Sequence, residues 1–348
     1  MAYTDIDKPS DYFNTKLYTG NGSAARGITG VGFQPDWVWV KAWSVAYPHI
    51  TWDSARTNKA SLCTNTNAAE VTTTARTLTS FDSDGFTTPN VTDDIFNDSG
   101  TGFASWNWKA GTTSIPSGGS LAPTAVSINA TSGFGIYKYT GNGAGVRTIA
   151  HGLGVIPKMI IVKKLDGAID WAVYNASLPL SNHLELNNTD AATASNIWWT
   201  SRPTSSLIHF DGNNQVNGSG STYVAYVFAE KQGYSKFGSY TGNGNADGTF
   251  IYTGFKPAFV MTKQTDGVDW WVINDTKRDT FNASTLGIRP NDSAAESSDS
   301  AWTKDILSNG FKQRTTNSGS NGSGNSYIYM AFAEQPLVTS TGVPATAR

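Results

Sequence analysis

Cysteine, histidine and charge are scarce in this sequence of 348 residues. It has one cysteine, Cys63, and four scattered histidines, and only 15% of its residues are charged. One cysteine cannot form an intrachain disulfide, and the histidines do not make the clusters that bind zinc. We therefore expect no cofactor, no structural metal and a fold that is stabilised by its own core.

Long apolar runs and a signal peptide are missing as well. No run approaches the roughly 20 apolar residues that span a bilayer, and the N-terminus MAYTDIDKPSDYF lacks a basic segment followed by an apolar one. The net charge is −2, and Lys and Arg are spread too thinly to follow a phosphate backbone. We expect no membrane insertion, no export by a cleaved signal and no nucleic-acid partner, and we place assembly in a cytosol.

A repeat dominates what is present. The pentapeptide YTGNG occurs three times, beginning at Tyr18, Tyr139 and Tyr240. Each copy is followed by a proline that opens an apolar stretch ending in lysine, as PDWVWVK, PKMIIVK and PAFVMTK. A DG-to-DW segment comes next in the second and third copies, and each copy closes on a turn and an aromatic-rich strand. This order predicts three copies of one module of about a hundred residues.

The repeat sets the predicted domain boundaries. The segments are an N-terminal attachment arm at 1–15, modules at 16–111, 133–233 and 234–338, and a C-terminal tail at 339–348. Residues 112–132 are rich in Ser, Thr, Pro and Gly and are predicted to be a linker. We expect the first module to pivot on this linker, and the second and third modules to be packed together.

The period of the apolar residues indicates the fold class. Val, Ile, Trp, Tyr and Phe concentrate in short runs that are separated by clusters of Gly, Asn, Asp and Ser. The run YVAYVFAE has no polar face, which is typical of a strand buried on both sides. The sequence predicts an all-β protein of three tandem β-sandwich modules with little helix, jelly-roll or lectin-like, with an immunoglobulin-like sandwich as the next choice.

The repeated glycines and aromatic residues are interpreted as architecture. The two glycines of YTGNG would supply the positive φ values of a tight turn, and the tyrosine would pack on its sheet. A phosphate-binding loop would need a helix after it, and no helix is predicted there. The tryptophans of the DW pairs are interpreted as core anchors. The structural residues of the repeat are Tyr18, Gly20, Gly22, Tyr139, Gly141, Gly143, Tyr240, Gly242, Gly244, Trp171 and Trp270.

Two groups of residues are candidates for binding. Loop aromatics flanked by cations are typical of a surface that stacks on sugars or contacts a protein. The predicted receptor-binding patch comprises Trp198, Trp199, Arg202, Trp302 and Lys304. Separately, the DSDG turn presents Asp82 and Asp84 at alternate positions, a weak Ca²⁺ candidate without a suitably spaced downstream Glu. The structural alternatives are a tryptophan folded over a sheet edge and an ordinary hairpin turn.

The sequence offers no arrangement that is typical of an enzyme. Glu230 and Glu334 occupy one repeat position where the first copy has Lys109, and such an exchange is not expected of a catalytic carboxylate. There is no GxSxG elbow, and nothing in the sequence pairs Cys63 with a histidine. We expect a binding or structural protein without catalytic residues.

Several segments resemble a module that is found, often repeated, in virion proteins of tailed bacteriophages of marine bacteria, including cyanophages: AYTDIDKPSDYFNTKLYTGNG, FQPDWVWVK, SFDSDGF and WNWKA. Members of this family are usually of uncharacterised function, and some are fused to concanavalin-like lectin domains. The resemblance implies a virion structural protein on the particle surface, a tail fibre, tailspike or head fibre that attaches to a host glycan or protein.

The alternative implied by the resemblance is a capsid or tail decoration protein. Such a protein would bind other virion proteins of the phage's own shell or tube, with residues 1–15 as its attachment arm. By analogy, either kind of protein would be a homo-oligomer, and we expect a trimer.

Overall fold

The computed structural model describes residues 4–57, 59–92, 94–195 and 201–345. The regular secondary structure of these residues is almost entirely antiparallel sheet. The helical elements in them are a short α-helix and 3-10 turns, at Ser318–Asn321, Pro9–Asp11, Thr74–Arg76 and Ser300–Trp302. None of these helices is long and apolar enough to cross a membrane. The prediction of an all-β fold with little helix is confirmed.

The first repeat forms one large and one small sheet. Its strands are β1 Phe13–Thr19, β2 Gly27–Thr29, β3 Trp37–Ala42, β4 Ile50–Asp53, β5 Leu62–Cys63, β6 Ser80–Asp82, β7 Gly85–Thr87 and β8 Gly102–Trp108. The large sheet has the order β1-β8-β3-β4-β5, and the small sheet has the order β2-β7-β6. Ile28, Phe86 and Trp52 lie in the core between the two sheets. The repeat is therefore a two-layer sandwich.

The second repeat has the same layers. Its strands are β9 Ala125–Asn129, β10 Phe134–Thr140, β11 Arg147–Ala150, β12 Pro157–Lys164, β13 Ala172–Asn175, β14 Asn182–Glu185, β15 Thr193–Ala194, β16 Leu207–Phe210 and β17 Thr222–Ala229. The large sheet has the order β15-β14-β13-β12-β17-β10-β9, and β11 pairs with β16 in the small sheet. Ile149 and Phe210 fill the core between these sheets.

The third repeat follows the same plan. Its strands are β18 Ser235–Thr241, β19 Phe250–Tyr252, β20 Phe255–Gln264, β21 Trp271–Asp275, β22 Leu286–Gly287, β23 Ser297–Ser298, β24 Lys304–Leu307, β25 Gly310–Gln313 and β26 Ser326–Pro336. The sheet orders are β18-β26-β20-β21, β19-β25-β24 and β22-β23. Ile251 and Phe311 lie between the large sheet and the β19-β25-β24 sheet.

The remaining faces of the three large sheets meet in one shared core. The ring centroid of Trp37, from the first repeat, lies 4.5 Å from that of Tyr226, from the second. The ring centroid of Phe332, from the third repeat, lies 5.6 Å from that of Trp108 and 6.1 Å from that of Phe228. Each repeat therefore contacts both others, and β17 is buried on both faces because one face meets its own small sheet and the other meets this shared core.

One backbone hydrogen bond recurs between neighbouring repeats. An N–H of the first repeat donates to a carbonyl of the second, one of the second to the third, and one of the third to the first. The bonds join Glu70 to Leu165, Ala192 to Thr265 and Glu296 to Trp43, at 2.8–2.9 Å. The three repeats are thus linked in a closed cycle, a relation that requires each repeat to sit between the other two.

A buried ion triad occupies equivalent places in the first and third repeats. The Arg56 guanidinium contacts Asp53 at 2.7 Å and Glu70 at 3.0 Å. The matching triad consists of Arg278, Asp275 and Glu296, with distances of 2.6 and 2.8 Å. The second repeat has the uncharged residues Asn175, Leu178 and Ala192 at these places. Each triad also accepts a hydrogen bond from a neighbouring repeat. The Tyr226 hydroxyl of the second repeat donates to Asp53, and the Trp106 indole N–H of the first repeat donates to Asp275.

The predicted linker belongs to the folded body. Within 112–132, β9 pairs along its length with β10, and Thr112 bridges to Ile128. The expectation that the first module pivots is wrong, because the shared core and the cyclic hydrogen bonds hold the first repeat against both others. A composition rich in Ser, Thr, Pro and Gly serves an edge strand and its turns as readily as a linker.

The predicted N-terminal arm, 1–15, is also packed where it is described. Ile6 lies in the shared core, and the Thr4 hydroxyl donates to the Gln232 carbonyl at 2.9 Å. The chain then enters β1 at Phe13, before the predicted module boundary at residue 16. The predicted C-terminal tail meets this segment, since the Ser340 N–H donates to the Asp7 carboxylate at 2.6 Å.

Candidate functional site

In each repeat the tyrosine of YTGNG anchors its own strand, β1, β10 or β18, to the last strand of that repeat. Tyr18 stacks on Phe103, Tyr139 on Tyr223 and Tyr240 on Tyr327, with ring centroids 4.8–5.2 Å apart. Each tyrosine hydroxyl also donates to a backbone carbonyl of the turn before the last strand. The motif thus binds its own sheet, as the structural interpretation predicts.

The two glycines of the motif are required for different reasons. The second glycine has positive φ in every copy, +70° at Gly22, +67° at Gly143 and +66° at Gly244. The first does not. A Cβ at Gly20, Gly141 or Gly242 would instead lie only 1.9–2.4 Å from a backbone carbonyl oxygen. The predicted positive φ is therefore right for one glycine, and close backbone approach explains the other.

The lysine that ends each Pro-led stretch is buried and binds backbone. Lys41, Lys163 and Lys263 each donate to the carbonyl of the next residue, at 2.6–2.7 Å. Burial lowers the pKa of each ammonium to about 8. These side chains cap loops in the interior and are not accessible to a macromolecular ligand.

The predicted receptor-binding patch is not a surface cluster in the described residues. Trp198 and Trp199 lie outside those residues. Arg202 donates to the carbonyls of Ala176 and Leu178, at 3.0 and 2.8 Å, and thereby ties its loop to the end of β13. Its guanidinium is thus engaged by the protein's own backbone.

The third-repeat members of the patch are buried. Trp302 is only 5% exposed, and the Arg289 guanidinium lies 5.8 Å from its ring centroid and 4.5 Å from that of Trp270. Lys304 is fully buried in β24, and its Nζ has no hydrogen-bond partner among the described residues. Burial lowers the pKa of Lys304 to about 7. Neither side chain is placed to contact a receptor.

The Ca²⁺ candidate is a satisfied hairpin turn. Asp84 accepts the N–H groups of Gly30 and Gly32 at 2.9 and 2.6 Å, and these bonds hold the pKa of its carboxyl below the usual value. Asp82 accepts the hydroxyls of Ser80 and Thr87. The described residues contain no group of three or more potential metal ligands. Donors of the protein itself therefore engage both aspartates, Asp82 within its hairpin and Asp84 on the segment after β2.

The recurring tryptophan is Trp271 in the third repeat, and the predicted pairing of Trp171 with Trp270 is wrong. The backbone N–H of Trp171 and that of Trp271 each donate to the side-chain oxygen of an asparagine. Each indole N–H donates to a backbone carbonyl of the preceding repeat, that of Cys63 at 3.0 Å or that of Glu185 at 2.9 Å. Both lie in the shared core, whereas Trp270 is half-buried beside Arg289. The predicted anchoring role therefore falls to Trp171 and Trp271.

A groove that the sequence analysis missed opens beside β19. It has a volume of about 360 Å³ and is lined by Glu230, Gly233, Lys236, Tyr252, Gly254 and Val338, among others; we call it the Tyr252 groove. Tyr252 is 52% exposed. The Lys236 ammonium lies 5.8 Å from the Tyr252 ring centroid and 3.8 Å from the Glu230 carboxylate. The groove thus combines an exposed aromatic ring with one anionic side chain, Glu230, and two cationic ones, Lys231 and Lys236.

The aromatic residues of β19 are peculiar to the third repeat. Each of the matching strands contains one buried isoleucine, Ile28 in β2, Ile149 in β11 and Ile251 in β19. By strand register, the flanking positions hold Gly and Thr in β2, Thr and Ala in β11, and Phe250 and Tyr252 in β19. An alignment of the repeats on these isoleucines would have revealed the difference from sequence.

Comparison with known proteins gives a family without an assigned activity. A family profile, described as "Domain of unknown function (DUF7483)", matches residues 8–336. No curated protein and no solved structure matches the chain. The match begins before β1, ends with β26 and includes all three repeats and the segments between them. The chain therefore belongs to the DUF7483 family.

Proposed function

We propose that this protein is a bacteriophage virion structural protein, exposed on the particle surface as part of a tail fibre, tailspike or head fibre, that attaches the particle to its host. The resemblance of its repeat to modules of marine phage virion proteins supports the virion assignment. The observation that carries the attachment role is the exposure of Phe250 and Tyr252 beside the Tyr252 groove. Large exposed aromatics that a fold does not need are typical of binding surfaces.

The rest of the molecule suits such a role. A shared core of tryptophan, phenylalanine and tyrosine stabilises the body without disulfides, so it is compatible with assembly in a reducing cytosol. The cyclic contacts between repeats fix the groove relative to the other surfaces. A binding residue held on a rigid sheet loses little conformational entropy when it meets a ligand.

The decoration-protein alternative receives less support. It relied on residues 1–15 as a free attachment arm, and residues 4–15 pack against the body, with Thr4 and Ile6 buried. A homotrimer, expected by analogy, remains part of the proposal for either role.

The test is to locate the chain on the particle. Antibodies raised against the purified chain would be applied to particles of a phage that encodes it, with gold labelling viewed by electron microscopy and peptide mass spectrometry of the purified particles. We expect label on tails or vertices and inhibition of adsorption by the same antibodies. Label spread over the capsid lattice would favour decoration, and absence of the chain from the particle would overturn the proposal.

A further inference from the structure

We infer that the Tyr252 groove binds a pyranose unit of a surface glycan, with the sugar ring stacked on Tyr252 and its hydroxyls held by Glu230 and Lys236. This inference rests on the proposed function, because it names the chemical class of ligand through which attachment would occur. It is carried by the aromatic ring, by the charged pair beside that ring and by the shape of the groove.

Tyr252 supplies an exposed aromatic ring. Tyr252 and Phe250 are 52% and 43% exposed, and they flank the buried Ile251, so both side chains lie on the outer side of β19. The fold does not need the Tyr252 ring, because Thr29 and Ala150 occupy the place of Tyr252 in the other repeats. The C–H face of a pyranose is apolar and packs on the electron-rich face of an aromatic ring. An exposed tyrosine offers that face together with a polar hydroxyl.

The charged pair supplies hydrogen bonds of both kinds. The side chains of Glu230 and Lys236 are 35% and 31% exposed, and the 3.8 Å between their charged atoms exceeds hydrogen-bond length. Both groups can therefore turn to a ligand. A carboxylate only accepts hydrogen bonds and an ammonium only donates them, so together they match sugar hydroxyls, which do both. Their charges also make these bonds stronger than neutral ones.

The shape favours a sugar over a protein surface. Gly254 has a φ of +81° and no side chain beside Tyr252, where an added Cβ would lie 3.6 Å from the tyrosine hydroxyl. The groove volume of about 360 Å³ is in the range of small-molecule sites. A stable protein–protein contact, by comparison, needs a broad surface of roughly 800 Å² on each partner. Phe250 lies two residues along the strand, about 7 Å away, and extends the aromatic surface towards a second sugar unit.

The experiment uses the purified full chain on an array of bacterial polysaccharides and lipopolysaccharides, followed by calorimetry with the glycan that binds best. The test variant is Tyr252→Thr, because the first repeat already carries threonine there. Tyr252→Phe keeps the ring, and Phe281→Ser removes an aromatic that is 79% exposed and does not line the groove. We expect at least a tenfold loss of affinity for Tyr252→Thr, less than about a threefold loss for Tyr252→Phe and no change for Phe281→Ser.

The outcomes separate this inference from the proposed function. If the chain binds a glycan and the Tyr252→Thr variant binds it equally well, the Tyr252 groove is not the glycan site. The inference is then overturned, and the proposed role in attachment to a glycan is retained. If the chain binds no glycan but binds intact bacteria, and protease treatment of the bacteria abolishes this binding, the ligand is a protein; the inference is overturned and attachment stands. If the chain binds neither glycans nor any of the bacteria that its phage infects, the proposed attachment role fails as well.

Discussion

Replacement of Lys304 by methionine should stabilise the protein, and by an amount that depends on pH. Lys304 is fully buried on β24, and its Nζ has no hydrogen-bond partner among the described residues. The centroid of the Phe311 ring lies 5.9 Å from this atom. A charged ammonium in such a place is not compensated, and methionine offers a side chain of similar length without the charge.

The magnitude follows from the pKa of Lys304, which burial lowers from 10.5 to about 7. Because the folded pKa is the lower one, the unfolded chain binds more protons between these values, and the free energy of unfolding rises with pH in this window. The cost to the folded state is about 4 kcal/mol at pH 7 and falls to between about 1 and 2 kcal/mol at pH 9.5. We expect Lys304→Met to recover amounts of this order at each pH.

The assay is urea unfolding of wild type and variant at pH 7 and pH 9.5, followed by tryptophan fluorescence. The matched control is Lys312→Met on the adjacent β25, because Lys312 pairs with the largely exposed Asp247 and should change stability by less than about 1 kcal/mol. If Lys304→Met destabilises the chain, or if its benefit does not shrink at the higher pH, the ammonium is compensated in the folded state and the reasoning fails.

Three further predictions test the repeat architecture by the free energy of unfolding in urea. Gly141→Ala should lower the free energy of unfolding by more than about 2 kcal/mol, because its Cβ would lie 2.4 Å from a backbone oxygen. The control Gly145→Ala places its Cβ in open space and should be nearly neutral. Equal effects of the two substitutions would refute the close-approach argument. Arg278→Met should cost about 3 to 5 kcal/mol, because it leaves the buried Asp275 carboxylate without its cation. Joint replacement of Asp275, Arg278 and Glu296 by the Asn, Leu and Ala of the second repeat should cost less than Arg278→Met alone, and a larger loss would refute the equivalence of the three sites.

Local signals in the sequence were sufficient to predict the strands and the turn motif. Period-two patterns and turn residues act over a few neighbouring positions, so the Pro-led strands and the YTGNG turns follow from them. The same signals do not say which surface covers a strand. YVAYVFAE has two apolar faces whether its second face meets a sheet of its own module or the shared core of three repeats.

The binding residues were harder to predict for a related reason. Trp302 and Lys304 stand in a polar stretch that is typical of a loop, yet the first packs under Arg289 and the second lies inside β24. Conversely, Tyr252 belongs to the apolar run FIY, which is typical of a buried strand. Tyr252 is nevertheless exposed, because only one face of the sheet that contains β19 packs against the core. Exposure here depends on how whole sheets pack, a property that a local pattern does not contain.

Differential scanning calorimetry of the intact chain tests most directly whether the three repeats form one body around a shared core. We predict a single transition in which the calorimetric and van't Hoff enthalpies agree, because unfolding any one repeat would expose Trp37, Tyr226 or Phe332 and the faces packed on them. Two or three separable transitions, or a van't Hoff enthalpy near one third of the calorimetric value, would show that the repeats unfold independently and would contradict the shared core.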